Sequence, residues 1–587
     1  MPAVKRGAAW GAAAVLVLAT VSPATADVGS GIEHTRLAAD PGELGGGADG
    51  DSWASYDGLF SGDGRYVLFE QLRFDKNLYL VQRWWVIQDL TDGTRQAYPP
   101  PAAVQDGARF PDALANDGRT VLFSTFTSLV DEDKGGSDLY RYDLVSGAAT
   151  LVSVDETGAP TGLVGEPADV TPDGRYVAFS TITFSDQDGA LTLGAAYLRD
   201  LVDGVTTRLR VQVGGVEVAA GAPQVSDDGR VVSFLAPSGP HDTRGSVYLW
   251  TADGVSRISS PGGTSNDPQG AGQSRISGDG TRVVYDYGGT AHQILAYDRT
   301  SGTSAVVSQT YQGTGAELIG VAALEVSADG RYVAFASEHP GLVPGDTNGE
   351  LDVFRRDLVT GQTERISVLP DGRQPRGAST LYDMADSGAE FVQRVAGAFP
   401  AAAGDSLRTR VAPVRVVPDT SITGGTSGLT RSAAPSISFA SGGAGMFQCR
   451  LDSAAWSACA SPHAFTAVPH GRHLLAVRAV SPTGLFDRTP ATRTVTVDLV
   501  PPSTTLTAGP RQWSTTEDRT PTFRYSSNTA GSRFRCRVDA RAWASCGTAA
   551  WTTPKLGLGP HKVRIVAVDP AGNPDPTPAV RSFRVAY

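Results

Sequence analysis

The stretch Ser327–Phe335, SADGRYVAF, decides the fold because it recurs. It stands as SGDGRYVLF at Ser61–Phe69, ANDGRTVLF at Ala115–Phe123 and TPDGRYVAF at Thr171–Phe179. It stands again as SDDGRVVSF at Ser226–Phe234 and SGDGTRVVY at Ser277–Tyr285, and a worn copy, ADSGAEFV, follows at Ala385–Val392. The aspartates of the Asp-Gly pairs are Asp63, Asp117, Asp173, Asp228, Asp279 and Asp329, with spacings of 54, 56, 55, 51 and 50 residues. Ser387 takes the place 58 residues later. A fixed period near 50 residues marks a repeat architecture.

Each copy has its own physical logic. Asp-Gly supplies the positive φ of a tight turn. The β-branched and aromatic run after it reads as a strand. A further apolar strand follows and ends in a turn, as in SDLYRYDLVSG (Ser137–Gly147) and LDVFRRDLVTG (Leu351–Gly361), and then a short one, as in TERISV. Four antiparallel strands per repeat, with no helical period, predict an all-β chain whose sheets repeat radially as a β-propeller. Residues 27–418 divide into seven units of 56. The N-terminal IEHTRLAAD (Ile32–Asp40) matches the fourth strand of the other copies and is expected to complete the last blade. We therefore expect seven blades, with six as the alternative if the worn copy is only a lid.

Upstream, Lys5 and Arg6 precede the apolar run Gly7–Val21, and Ala24 and Ala26 fit a small-residue cleavage site. This is the pattern of a secretory signal over residues 1–26, with an uncleaved anchor as the alternative. The expected protein is exported and has no membrane span once the signal is removed. Downstream, residues 419–587 hold two related segments, expected as modules over 419–498 and 499–587. Each carries two cysteines ten apart, Cys449 and Cys459 in FQCRLDSAAWSAC, Cys536 and Cys546 in FRCRVDARAWASC. The matching spacing predicts local disulfides rather than zinc sites, whose cysteines stand closer in sequence. Trp456 and Trp543 are expected beside the bridges, and His470 and His473 at the surface.

The motif S-x-D-G-R-Y-V-A-F, with the stretch LVPGDTNGELDVFRRDLVTGQTERISV (Leu342–Val368), resembles the TolB-type, WD-repeat-like propeller repeats of bacterial exported proteins. The C-terminal segments resemble bacterial Ig-like β-sandwich modules. The first resemblance implies an interaction scaffold. TolB itself has six blades, and some relatives carry a peptidase domain after the propeller, for which this sequence shows no counterpart.

Charge divides between the regions. Residues 419–587 hold 18 Lys/Arg and 9 Asp/Glu, so the modules are basic, while the chain as a whole has net charge −11. That distribution points to an unknown protein or a cell-envelope polysaccharide as partner and away from nucleic acid. There is no H-E-x-x-H, no G-x-S-x-G elbow and no phosphate loop, so no catalytic residue and no cofactor is assigned. Calcium is the one ion considered. Asp346, Asn348 and Asp352 alternate oxygen side chains over one loop, and Asp131, Asp133 and Asp138 stand at the equivalent place in the second repeat. The sequence supports a monomeric, secreted, non-enzymatic binding or scaffold protein, with the Ig-like modules as spacer or adhesion units. The alternative is a propeller hydrolase acting on envelope or extracellular carbohydrate, which requires convergent carboxylates with raised pKa values in one funnel.

Overall fold

The computed structural model describes residues 16–18, 25–27, 32–37, 52–75, 77, 80–101, 110–131, 133, 136–184, 191–237, 239, 245–259, 271–288, 292–316, 323–369, 373–395, 407–411, 418–442, 446–481, 483–487 and 489–587. All elements among them are strands, and the chain divides into two compact units near Val416–Val417. No helix of the described residues is long and apolar enough to cross a membrane. The 1–26 leader lies mostly outside the described residues, although Leu16–Leu18 pairs with Arg95–Ala97 at the outer edge of the first sheet.

Among its described residues the first unit holds seven antiparallel sheets of four or five strands that share one plan, and a two-stranded one, Val211–Val213 with Val216–Val218. In the sixth, Leu324–Val326, Tyr332–Ser337, Asp352–Asp357 and Gln362–Arg365 pair in sequence order. Alternation along each second strand explains the R-Y-V-x-F pattern: successive side chains leave opposite faces, so both faces can be apolar. Val67 and Phe69 enter one cluster while Leu68 enters the next. One such apolar cluster fills the gap between each sheet and its neighbour, as between the fifth and sixth sheets around Val284, Phe335 and Phe354. The last gap closes the series, because Val67, Phe69 and Val86 of the first sheet pack against Ala385 and Val392 of the seventh.

The worn copy also forms strands of a sheet. Thr380–Met384, Glu390–Arg394 and Leu407–Val411 pair with the N-terminal strand Ile32–Arg36, with Ile32 opposite Val411 and Arg36 opposite Leu407. Both ends of the repeat array thus lie in one sheet, and separating them requires breaking that pairing as well as an apolar interface.

The Asp-Gly aspartates serve the turn. Ser327 Oγ donates to Asp329 Oδ1 at 2.6 Å, the Arg331 N–H donates to the same oxygen at 3.0 Å, and the Tyr332 N–H donates back to Ser327 Oγ at 2.9 Å. The same set recurs at Ser61 with Asp63 and at Ser226 with Asp228. The glycine does two things. Gly229 has φ +70°, and a Cβ on it would stand 2.3 Å from the Tyr176 ring of the preceding sheet. The turn glycine is therefore also the seat of the neighbouring repeat's tyrosine, over which Arg175 lies at 4.9 Å.

The second unit contains the same arrangement twice. A three-stranded sheet (Ser421–Gly425, Ser436–Ala440, His463–Ala464) accompanies a five-stranded one (Gly428–Thr430, Ala491–Val497, Gly471–Val480, Met446–Leu451, Ser457–Cys459). The repeat uses Thr504–Ala508, Thr522–Ser527 and Ala550–Thr552 with Thr515–Thr516, Ala579–Val585, Gly559–Val568, Arg533–Val538 and Ala544–Cys546. Each pair of sheets encloses a core, one around Phe439, Val477 and Val495, the other around Phe523, Ile565 and Phe583.

Candidate functional site

The innermost strands of the seven sheets end just before the Asp-Gly turns, and their last residues surround a cavity of about 180 Å³. The position four before each Asp-Gly aspartate, or before Ser387, is Leu59, Ala113, Asp169, Gln224, Arg275, Glu325 and Asp383, and all seven line the cavity. The position immediately before the aspartate adds Asp227 and Asp386, and Asp112 lines the wall beside Ala113. Six carboxyl groups therefore share one small space with one cation, Arg275.

Two of these carboxylates join neighbouring repeats. The Val225 N–H donates to Asp169 Oδ2 at 2.8 Å, and the Phe60 N–H donates to Asp383 Oδ2 at 2.6 Å. Their other oxygens accept from the next residue in their own strands, Val170 at 2.9 Å and Met384 at 2.8 Å. Asp383 thus links the seventh sheet to the first. Glu325 Oε1 lies 3.3 Å from Arg275 Nε across the gap between the fifth and sixth sheets.

Crowding like charges away from bulk water disfavours ionisation. Burial pushes Asp169 up to about 6, opposed by the Val225 N–H and Arg275. Burial and then the charge of Glu325 hold Asp383 well above the usual carboxylate range. Burial raises Glu325 against the pull of Arg275. Asp386 is pushed up to about 7 by burial, with Asp227 and Asp169 adding to it. Burial, then Asp228 and Asp279, raises Asp227. The cavity can hold a positively charged group or exchange protons near neutrality.

A ring of four-stranded sheets around a central cavity is the architecture of a propeller. The first unit is a β-propeller. TolB from Acinetobacter baumannii aligns at 15% identity over 64% of this chain and 84% of its own, with a TM-score of 0.28. A TolB structure from Agrobacterium tumefaciens aligns at 15% identity over 62% of this chain and 100% of its own, with a TM-score of 0.31. The acylaminoacyl peptidase of Pyrococcus horikoshii aligns at 12% identity over 66% of this chain and 57% of its own, with a TM-score of 0.38. These superpositions are loose, and the propeller stands on its own ring of sheets. No protein-family model matches the chain, and no curated protein matches it.

The residues expected to hold calcium do converge, but around an arginine. Arg365 Nη1 lies 3.5 Å from Asp346 Oδ1 and 3.6 Å from Asp352 Oδ2, and all three residues are buried. Asn348 turns its amide nitrogen to Asp352 Oδ2 at 3.0 Å and to the Pro375 carbonyl at 3.0 Å, so it offers donors rather than its oxygen there. Arg365, 13 positions beyond the loop, is the positive charge beside these aspartates, and sequence spacing did not connect it to them. In the second repeat Asp133 and Asp138 are buried while Asp131 is exposed, and Leu151 stands where Arg365 does in the sixth. Burial and the neighbouring Asp133 push Asp138 up to about 6, against the hydroxyl that Ser153 donates to it at 2.6 Å.

In the second unit Cys449 bridges Cys459 and Cys536 bridges Cys546, with Cα separations of 5.8 Å. His463 adjoins the first bridge, but bridged sulfurs are not thiolate ligands. Trp456 and Trp543 are half-buried and lie under arginines, with Arg450 and Arg478 each 4.5 Å from Trp456 and Arg537 4.7 Å from Trp543. His473 departs from the surface position expected for it. Its ring is held between Asp452 Oδ2 at 2.8 Å and the Pro469 carbonyl at 3.0 Å, and only His470 is exposed.

The cavity carboxylates went unassigned in the sequence because each is one residue in a repeat of about 50. Their signal is positional: the fourth residue before the turn takes six identities in seven copies, while six of the turns keep Asp-Gly.

Proposed function

We propose that this chain is an exported, non-enzymatic binding protein whose propeller cavity receives a cationic group, such as a lysine or arginine side chain of a protein segment. We read the first unit as seven-bladed, supported by its seven sheets and the pairing of Ile32–Arg36 with Leu407–Val411. We read the second as two Ig-like modules, supported by their paired sheets and local disulfides. Disulfides and the leader pattern support export.

The observation that carries the binding reading is the convergence of six carboxyl groups on a cavity with one arginine. Five of them come from two repeat positions whose counterparts elsewhere include Leu59, Ala113, Gly62 and Gly278, so the fold does not demand them. Titration of the full chain with a capped lysine tripeptide tests the reading. Affinity is expected to rise at least about tenfold from pH 5 to pH 8, as groups held near 6 and 7 ionise. The Asp227→Asn/Asp386→Asn variant should lose that rise, whereas Asp203→Asn/Asp253→Asn outside the cavity should keep it. Equal loss in both variants would overturn the reading.

A hydrolase is the second reading, favoured by Asp386 at about 7, a value suited to a general acid. Turnover of glycoside, peptide or lactone substrates that Asp386→Asn abolishes would replace binding with catalysis.

A further inference from the structure

The two C-terminal modules are an internal control for each other. Both keep the bridged hairpin, the tryptophan under an arginine and a histidine held by an aspartate: His473 with Asp452, and His561 with Asp539 at 2.9 Å. Both bury one face of the five-stranded sheet, in the second module through Phe534, Cys536, Val563, Ile565 and Phe583. The opposite face differs. In the second module it carries Arg533, Arg535 and Arg537 on one strand, Lys562 and Arg564 on the next, and Arg584 on the third. At the same register the first module has Met446, Gln448, Arg450, Leu474, Ala476 and Thr496. Arg472, opposite Thr496, and Arg478, opposite Gln448, bring the first module to three cations on that face, whereas the second has six.

These six cations are not counterbalanced. Among the described residues none of them makes an ion pair, and the strands present no acidic side chain on that face. Residues 499–587 hold 12 Lys/Arg against 5 Asp/Glu, whereas residues 419–498 hold 6 against 4. Like charges on adjacent strands repel one another, so the face costs stability unless an anion covers it. At its edge Trp513 is 79% exposed, donates its backbone N–H to the Ser582 carbonyl at 2.7 Å, and with Lys562 and Arg584 borders a recess of about 260 Å³, whose one carboxylate, Asp539, is paired with His561 at 2.9 Å. Strand register puts Ser427 at the equivalent place in the first module.

We propose that this face of the second module binds a linear phosphodiester polymer of sugar or polyol units. Alternate residues on a strand stand about 7 Å apart. Phosphates joined through a three-carbon polyol repeat at a similar extended length, so consecutive phosphates can meet Arg533, Arg535 and Arg537 in turn. Five of the six cations are arginines, whose planar forks suit phosphate oxygens. Trp513 gives an apolar ring face for a sugar or polyol at the end of the row. The site is independent of the propeller cavity and of its proposed ligand.

The test titrates the full chain with polyglycerol phosphate freed of lipid, over a series of salt concentrations. Neutralising five phosphates predicts a slope of log affinity against log salt of about −3.5. The variant Arg535→Gln/Lys562→Leu/Arg564→Ala/Arg584→Thr gives four positions the residues that the first module carries, and should lose at least tenfold in affinity with a flattened salt slope. Arg533→Met/Arg535→Gln, which alters two exposed residues and so spares the core, should lose about threefold. The variant Arg472→Ala/Arg511→Ala/Arg524→Ala/Lys555→Ala removes equal charge elsewhere and should bind within about twofold of the parent. Equal loss in that control, no binding of polyglycerol phosphate, or tighter binding of polygalacturonate or single-stranded DNA would each overturn the proposal.

Discussion

Replacing Arg365 by leucine, the residue at the same place in the second repeat, should destabilise the first unit strongly and in a pH-dependent way. In the parent, the guanidinium sits 3.5 Å from Asp346 and 3.6 Å from Asp352 with all three groups buried. At an effective dielectric of about 20 each contact is worth on the order of 5 kcal/mol before desolvation. Breaking such a buried pair costs about 3–5 kcal/mol net. Protonation sets a ceiling, because a carboxyl of ordinary pKa takes up a proton at pH 7 for about 4 kcal/mol. Burial already holds Asp346 up at about 6 in the presence of Arg365, and it raises Asp352 as well, so part of that cost is carried by the parent. The expected loss is about 3 kcal/mol at pH 7.

The sign of the pH effect follows from the raised values. Losing the arginine raises both carboxyl groups further, so the variant suffers most where the parent's carboxylates are ionised. Below about pH 4 these carboxyls are protonated in both proteins, and the loss should shrink to under about 1 kcal/mol. Urea unfolding of the full chain at pH 4 and pH 7, followed by fluorescence, measures both. A loss under about 1 kcal/mol at pH 7, or an equal loss at both pH values, would refute the assignment of Arg365 as the counter-charge.

Three further outcomes are expected. Asp386 is raised to about 7, so the stability associated with its neutral form is full below the ordinary carboxylate pKa and is lost as pH rises through 7. Asp386→Asn should therefore stabilise the first unit by about 1–2 kcal/mol at pH 8 and leave it unchanged at pH 4, as read by urea midpoints. Gly229→Ala should destabilise by about 1–3 kcal/mol, because φ of +70° and a Tyr176 ring 2.3 Å from the new Cβ both oppose it; Gly204→Ala, with φ +69° but open space, should cost less. Cys536→Ser/Cys546→Ser should lower the stability of the second unit by about 2–3 kcal/mol in the chain-entropy account of a ten-residue loop, with no effect on the unfolding of the first.

Repetition made much of the first unit readable in advance. The strands around Asp-Gly, the turn itself and the match of Ile32–Asp40 to a fourth strand all rest on local chemistry, which a sequence states directly. The same locality hides partners that come from distant strands. The aspartates of Asp346–Asp352 alternate as a cation loop would, yet the group that meets them lies on another strand. His473 reads as a surface residue, yet its ring is held between Asp452 and the Pro469 carbonyl.

What the sequence determined by itself is the period, the strand order and the disulfide pairing, because each depends on spacing along the chain. Tertiary structure decided which carboxyl groups meet. Asp169, Glu325 and Asp383 are separated by more than 50 residues at each step and come together only because the ring closes. Their raised pKa values exist only there, since proximity and exclusion of water are properties of the assembled cavity. The cationic face of the second module likewise required strand register, which turns six scattered basic residues into one surface.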